Sequence, residues 1–233
     1  MPSGPKSRAV ALVSGGLDSV VSLAAGLLEA DVRLVLFYNY GQGAVIRERE
    51  AVLAAVNYYQ VPFREVDLVW LGRLAPAGMC PDPAEEREGQ PPPLDSLTDV
   101  WVPNRNGVFL SVAAAFAESY DCDRVIAGFN REEAAEFPDN RAEFVEKINE
   151  SFKFSTLSGV EVKSYTQDLT KREILLLGQK LRAPLSIIWS CYTGGETMCG
   201  RCSSCLKLRQ ALASLPDDKR LRLELGENGS ADI

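Results

Sequence analysis

The chain has 233 residues, 46% of them hydrophobic and 24% charged, and a formal net charge of −7 at pH 7. This composition fits a globular protein with one sizeable core, and no apolar run reaches the roughly 18 residues that a membrane span needs. The acidic balance argues against a stable grip on a nucleic-acid backbone, which calls for a basic surface, and the absence of histidine removes the commonest general base and the commonest metal ligand.

The start, MPSGPKSRAVALVSGG, has a short basic stretch whose apolar run leads straight into glycines. It does not read as a signal peptide, and the cytoplasm is the expected location. Residues 8–13 predict a buried parallel strand. Residues 18–29 predict a helix with Leu23, Leu27 and Leu28 on one face, and 32–38 a second strand. Residues 44–59 carry Ile46, Val52, Leu53 and Val56 at helical spacing, and 63–69 predict a third strand. Residues 72–99, rich in Pro, Gly and acids, break this pattern and read as a long loop, either a lid or a surface insertion. A buried helix over 107–119, a strand over 123–128 and an amphipathic helix over 141–152 follow. The next helix, 170–182, has Thr170 as N-cap and Glu173 as its capping-box partner. A last helix covers 204–214.

Strands alternating with helices predict an α/β fold, a doubly wound parallel sheet covered on both faces. The expected organisation is a nucleotide-binding domain over 1–189, a metal-binding and helical region over 190–216, and a polar tail over 217–233.

Two motifs carry chemistry. The first is SGGLDS, residues 14–19, placed where the first strand gives way to the first helix. Free N–H groups and the dipole at a helix N-terminus attract anions, and glycines let backbone approach phosphate closely. Ser14 and Ser19 add hydroxyls. Asp18 would repel phosphate unless a divalent cation such as Mg²⁺ sits between them. The second motif is SCYTGGETMCGRCSSC, residues 190–205. Cys191, Cys199, Cys202 and Cys205 have the spacing of a closed tetrahedral Zn²⁺ site without a water position, hence structural. An iron–sulfur cluster is the rival occupant. Cys80 and Cys122 lie outside any motif and read as a loop thiol and a small core residue.

The SGGxDS string resembles the pyrophosphate-binding loop of the ATP pyrophosphatases, the PP-loop enzymes; the chain has no Walker-type string. With VPNRNGVFLS at 102–111, NYGQ at 39–42, GFN at 128–130, FPDNRAEFVE at 137–146 and the cysteine cluster, all in this order, the chain resembles the QueC family over most of its length. The resemblance implies an adenine nucleotide alpha hydrolase-like fold and an ATP-dependent C–N ligase. Such a ligase adenylates the carboxylate of 7-carboxy-7-deazaguanine, lets ammonia displace AMP to give the amide, then activates the amide with a second ATP and releases the nitrile. Ammonia would be free or delivered by another protein.

It also implies ATP contacts from Ser14, Gly15, Gly16, Leu17, Asp18, Ser19, Tyr40, Gly41, Gln42 and Lys171. Substrate contacts would come from Arg105, Asn106, Phe137 and Asp139, with catalytic roles for Asp18, Ser19 and Arg105. Mg²⁺ would accompany ATP, Zn²⁺ would fill the cysteine site, and a homodimer is the expected assembly, with no nucleic acid and no membrane as partner.

The chain departs from the family pattern at four places. Gly43-Ala44 stands for Arg-His, Asn104 for Gly, Asn140 for Cys, and a run with Glu132, Glu133 and Glu136 for a more neutral segment. These departures leave a second reading open: an enzyme that stops at the amide or joins a deazaguanine to another amine. A tRNA-thiolating PP-loop enzyme is a more distant third.

Overall fold

A computed structural model describes residues 6–75, 79–80 and 97–217. The loop expected at 72–99 lies outside them at 76–78 and 81–96, and the tail lies outside them at 218–233. Along the chain come β1 (Ser7–Leu12), α1 (Leu17–Glu29), β2 (Ala30–Asn39), α2 (Val45–Tyr59), β3 (Phe63–Asp67) and two short helices, α3 (Val69–Gly72) and α4 (Leu97–Val100). Then follow α5 (Arg105–Ser119), β4 (Arg124–Ala127), α6 (Arg131–Glu136), α7 (Ala142–Ser155), β5 (Glu161–Ser164), α8 (Lys171–Lys180) and α9 (Ser203–Ala213).

The five strands pair in parallel in the order β3-β2-β1-β4-β5. The chain winds outward from β1 to β3, then crosses back to β4 on the other side. The switch point therefore falls between the carboxyl ends of β1 and β4, where doubly wound sheets bind ligands. That crevice is bordered by the glycine loop after β1 and by Gly128–Asn130 after β4.

Alternation along each strand divides the core. Ala9, Ala11, Val35 and Phe37 face a layer built from α1, α2, α8 and α9, with Leu17, Val52, Ile174, Leu175 and Leu208 buried against them. Val10, Leu34, Leu36, Val125 and Ala127 face the opposite layer, where Leu110, Ala113, Ala114 and Ala117 of α5 and Phe152 of α7 pack. Small alanines on α5 let it lie close to β1 and β4. Cys122 is 1% exposed in this second layer, a core residue as expected.

Two short elements escape the sequence pattern. β5 has four residues at the sheet edge and buries only Val162. α6 buries none of its six residues, so no apolar stripe marks it. The third strand is also shorter than expected. It stops at Asp67, whose Oδ1 accepts from Val69 N at 3.0 Å and turns the chain into α3. At α8 the capping box is present as read: Glu173 N donates to Thr170 Oγ1, and Thr170 N donates to Glu173 Oε2 at 2.8 Å.

Candidate active site

β1 ends in a loop whose shape depends on one glycine. Gly15 has φ +82, and a Cβ there would lie 2.8 Å from both Ala51 Cβ and Glu48 O of α2. Its carbonyl accepts from Trp189 N at 2.9 Å, so the segment leading into the cysteine cluster braces the loop. Ser19 Oγ accepts from Ser14 N at 3.2 Å and donates to Gly16 O at 3.0 Å. Gly16 caps α1 without any side-chain cap, so the first N–H groups of α1 keep the free, anion-seeking end that the motif predicts. Gly128 completes the close packing: a Cβ there would sit 2.6 Å from the Ser19 backbone.

The loop opens into a cleft of about 260 Å³ lined by Ser14, Gly16, Leu17, Asp18 and Ser19 on one side. Tyr40, Gln42, Glu48, Arg105, Asn106, Phe137 and Asn140 line it as well, with Glu133, Lys171, Trp189 and Tyr192. Three residues singled out from sequence stand off the lining: Gly15, Gly41 and Asp139.

Asp18 is the hub. Its Oδ2 accepts from Lys171 Nζ and from Asn130 Nδ2, both at 2.9 Å. Its Oδ1 is buried with no hydrogen-bond partner among the described residues. An orphaned, buried carboxylate oxygen beside a free helix N-terminus fits a hard divalent cation such as Mg²⁺.

Lys171 is 6% exposed and bridges Asp18 to Glu133 Oε1 at 3.3 Å. Lys171 is thus not a plain exposed lysine at a helix start. Burial alone would lower its pKa, but the charges of Asp18 and Glu133 outweigh burial and the net shift is upward. The lysine stays protonated. Glu133 also meets Lys207 of α9 at 3.8 Å, and Lys207 pairs with Glu136 at 2.6 Å. Glu132 Oε1 accepts from Lys171 N at 2.8 Å. Glu132, Glu133 and Glu136 are thus the partners of Lys171 and Lys207.

On the opposite wall, Arg105 Nη1 donates to Tyr40 OH at 3.3 Å, and its guanidinium lies 5.8 Å from that ring's centroid. Arg105 has no ion-pair partner among the described residues, so its fork is available to a ligand carboxylate or phosphate. Gln42 is 2% exposed and fully engaged: its Oε1 accepts from Tyr40 N at 2.9 Å, and its Nε2 donates to Tyr38 O at 3.0 Å and to Glu48 Oε2 at 2.8 Å. It shapes the turn after β2 and aims Glu48.

Asn106 Nδ2 donates to the Asp139 carbonyl at 3.2 Å, pinning the Pro138–Asn140 turn to α5. The Asp139 Oδ1 accepts from Asn140 Nδ2 at 3.1 Å, and Asn140 is the member of that pair that lines the cleft. Phe137 is 8% exposed and lies parallel to Trp101 at 6.4 Å.

Sequence reasoning passed over Glu48, Asn130 and Trp189. Asn130 had a usable signal, its place in the quoted GFN string. Glu48 had none, because only its contact with Gln42 marks it.

The cysteine cluster lies beside the cleft, whose lining includes its neighbours Trp189, Ser190, Tyr192 and Ser204. All four Sγ atoms of Cys191, Cys199, Cys202 and Cys205 lie within 4.8 Å of one another, with Cys199 and Cys205 at 4.0 Å. A Zn–S tetrahedron of about 2.3 Å bonds has edges of about 3.8 Å, so these residues fit a metal ion. Backbone N–H groups of Cys199 and Cys202 point at Cys191 Sγ (3.3 Å) and Cys199 Sγ (3.4 Å). This is the orientation that stabilises thiolates. Arg47 ties the cluster's loop to α2: its Nε donates to Gly195 O at 2.8 Å, and its guanidinium lies over Trp189 at 5.5 Å. Among the described residues no helix is long and apolar enough to cross a membrane.

A family model described as "Queuosine biosynthesis protein QueC" matches residues 8–215. A protein of Pelotomaculum thermopropionicum named 7-cyano-7-deazaguanine synthase is 47% identical over 211 residues, which is 88% of this chain and 96% of that one. Proteins of the same name from Desulforudis audaxviator and Methanosarcina mazei are 46% and 36% identical, covering 89% of this chain and 97% and 94% of theirs. The glycine loop, the cleft at the switch point and the four-cysteine cluster thus stand in a chain that matches from β1 to the end of α9, and this chain belongs to the QueC family.

Proposed function

We propose that this enzyme converts 7-carboxy-7-deazaguanine and ammonia to 7-cyano-7-deazaguanine, using two ATP. The observation that carries the reading is the pairing of two features across one cleft in a QueC chain. On one side is the glycine loop with the orphaned Asp18 Oδ1; on the other is Arg105, free of any described carboxylate. The first suits a nucleotide polyphosphate with its cation, the second a substrate carboxylate.

The residues divide the work as follows. N–H groups at the start of α1, with Ser14, Gly16, Leu17 and Ser19, hold the ATP phosphates. Lys171, kept cationic by Asp18 and Glu133, balances charge as pyrophosphate departs. Asp18 would hold Mg²⁺, which when bound neutralises phosphate charge. Tyr40, Gly41 and Gln42 form the turn that borders the nucleotide, and Gly15 sets the loop's shape. Arg105 orients the carboxylate as its oxygen attacks the α-phosphorus. Phe137 and Asn106 shape the purine side, and Asp139 acts through its contacts with Asn106 and Asn140. Adenylation turns a poor oxygen leaving group into AMP, once for the acid and once for the amide. Neither step calls for histidine.

In this reading Cys191, Cys199, Cys202 and Cys205 hold a structural Zn²⁺ that fixes Trp189 and Tyr192 in the cleft wall. The domain division at 189/190, a homodimeric assembly, a cytoplasmic setting and a free base rather than RNA as acceptor belong to the same proposal. Metal analysis distinguishes zinc from an iron–sulfur cluster, which would bring labile sulfide and visible absorbance.

The direct test incubates pure protein with 7-carboxy-7-deazaguanine, ammonium, ATP and Mg²⁺ and follows AMP and the mass of the base. Two AMP per nitrile support the reading. AMP with amide alone supports the second reading, an enzyme that stops early or uses another amine. Gly43, Ala44 and Asn140, which depart from the family pattern near the cleft, favour that reading.

A further inference from the structure

Turning a carboxylate into a nitrile with ammonia requires removing protons from nitrogen. Ammonia at neutral pH is mostly ammonium. After it attacks the acyl adenylate, the C–N bond forms, the C–O bond breaks with its electron pair leaving on AMP, and a proton must leave nitrogen to give the amide. In the second half, the adenylated amide has to lose its N–H protons. As the last one leaves, the N–H electron pair becomes the third C–N bond and the C–O pair departs with AMP. A chain without histidine must find another acceptor for these protons.

The cleft offers few. Asp18 and Glu133 are both committed to Lys171, at 2.9 and 3.3 Å. Lys171 itself is held protonated, and Arg105 is a permanent cation. Burial keeps the Tyr38 and Tyr40 phenols neutral and pushes Tyr192 up to about 12. The remaining ionisable group on the lining is Glu48, in the first turn of α2. It has no cation within ion-pair distance among the described residues. One of its oxygens is fixed by Gln42 Nε2 at 2.8 Å, and Gln42 is in turn locked by Tyr38 O and Tyr40 N.

We propose that the Glu48 carboxylate is the general base that takes the nitrogen-borne protons during amide and nitrile formation. This assignment rests on the synthase reading given above. Gln42 is then a positioning residue that aims the base. The electrostatic setting agrees. Burial raises the Glu48 pKa; the Gln42 amide and the Arg105 charge pull it back, and the result is about 7. The groups facing it are Gln42 and Tyr40 from the turn after β2, Arg105 from α5, and the Cys80 thiol, which burial pushes up to about 11. None of these four changes charge near neutrality, so among them Glu48 titrates there alone. A base is most effective when its pKa lies near the working pH.

The test uses the full chain and Glu48→Gln, whose amide oxygen can still accept from Gln42. Two reactions are read: ATP–pyrophosphate exchange dependent on 7-carboxy-7-deazaguanine without ammonia, and ammonia-dependent formation of amide and nitrile. The expected result is exchange within about threefold of wild type with product formation lowered about 100-fold or more, the usual weight of a general base. The wild-type product rate should rise through an ionisation near pH 7 that the variant lacks, while thermal unfolding shows the variant folded. Equal loss of exchange and product formation, or full product formation in the variant, overturns the assignment. Failure of the wild type to support exchange overturns the synthase reading and Glu48's role with it.

Discussion

The glycine loop and the ion network that joins it are built differently. The glycine loop is a local structure: Ser14 to Ser19 hydrogen-bond among themselves, and the one feature the loop cannot do without is a glycine at φ +82. The ion network that meets the loop at Asp18 is built from contacts of long range. Asp18, Asn130, Glu133, Lys171 and Lys207 are joined across up to 153 positions in sequence. The cysteine cluster stands between these two kinds, with local ligands but distant consequences through Trp189 N and the Gly15 carbonyl. A local structure fails at a single residue; a network of distant partners loses its members one at a time.

The sharpest way to break that contrast is at the cluster. Cys205 is fully buried, and structural metal binding is itself folding free energy. Cys205→Ser should release the metal and cost about 3 kcal/mol or more of stability, a fall of about 10 °C in Tm for a chain of this size. Because the cluster's lead-in segment braces Gly15, ATP–pyrophosphate exchange should drop with the metal content. Exchange that survives in metal-free protein would mean that the two motifs are independent.

Next comes the loop. Gly15→Ala places a methyl 2.8 Å from the Glu48 carbonyl at a positive φ, so strain and clash add to about 2–3 kcal/mol, and the loop and α2 must move apart. Gly159 is the control. It has φ +66 but open space around it, so Gly159→Ala should cost only about 1 kcal/mol and leave exchange intact. Equal effects at both positions would show that backbone strain, not the approach of α2, fixes the loop.

How much of this was legible follows from the same contrast. Apolar periodicity placed the first four strands and the long helices, although β3 only half-buries Phe63 and Val66 and the stripes were read too wide: Leu28, Ile46 and Leu53 are exposed. The capping box at Thr170 and Glu173 and the four cysteines were readable because their partners are three to eight residues away. β5 and α6 were not, since the first buries one residue and the second none. Lys171 illustrates the limit: from sequence it is a lysine at a helix start, and only folding surrounds it with Asp18 and Glu133. Glu48 reads as one more charge in VIREREA, while the structure turns it into the cleft by way of Gln42.

A third effect is smaller and concerns pH. Glu48 has a folded pKa of about 7 against an ordinary 4.5. The folded state therefore binds more protons than the unfolded one between these values, and the favourable contribution of the protonated carboxyl, complete below pH 4.5, is lost as pH rises through 7. Between pH 5 and pH 8 the swing is about 2–3 kcal/mol. Denaturant unfolding at pH 5 and pH 8 should show wild type losing that much more stability than Glu48→Gln. An identical pH dependence in the two proteins would place Glu48 in water.

The smallest effect tests whether the ion network behaves as a network. Lys207 meets Glu133 at 3.8 Å and Glu136 at 2.6 Å, but Glu136 is half-exposed. Surface pairs of this kind are worth a few tenths of a kcal/mol. Lys171 and Glu133, by contrast, meet with Lys171 buried, and truncating one member of such a pair strands the other. In double-mutant cycles on stability, Glu133→Gln with Lys207→Met should show a coupling below about 0.5 kcal/mol. Glu133→Gln with Lys171→Met should exceed about 1 kcal/mol. Glu133→Gln alone should raise the KM for ATP several-fold, because Lys171 then swings fully onto Asp18 and competes with the cation at its carboxylate. If the Lys207 cycle instead matches the Lys171 cycle, α9 transmits the state of the cysteine cluster to the nucleotide loop through charge as well as through the Trp189 backbone, and the loop and the network are energetically one.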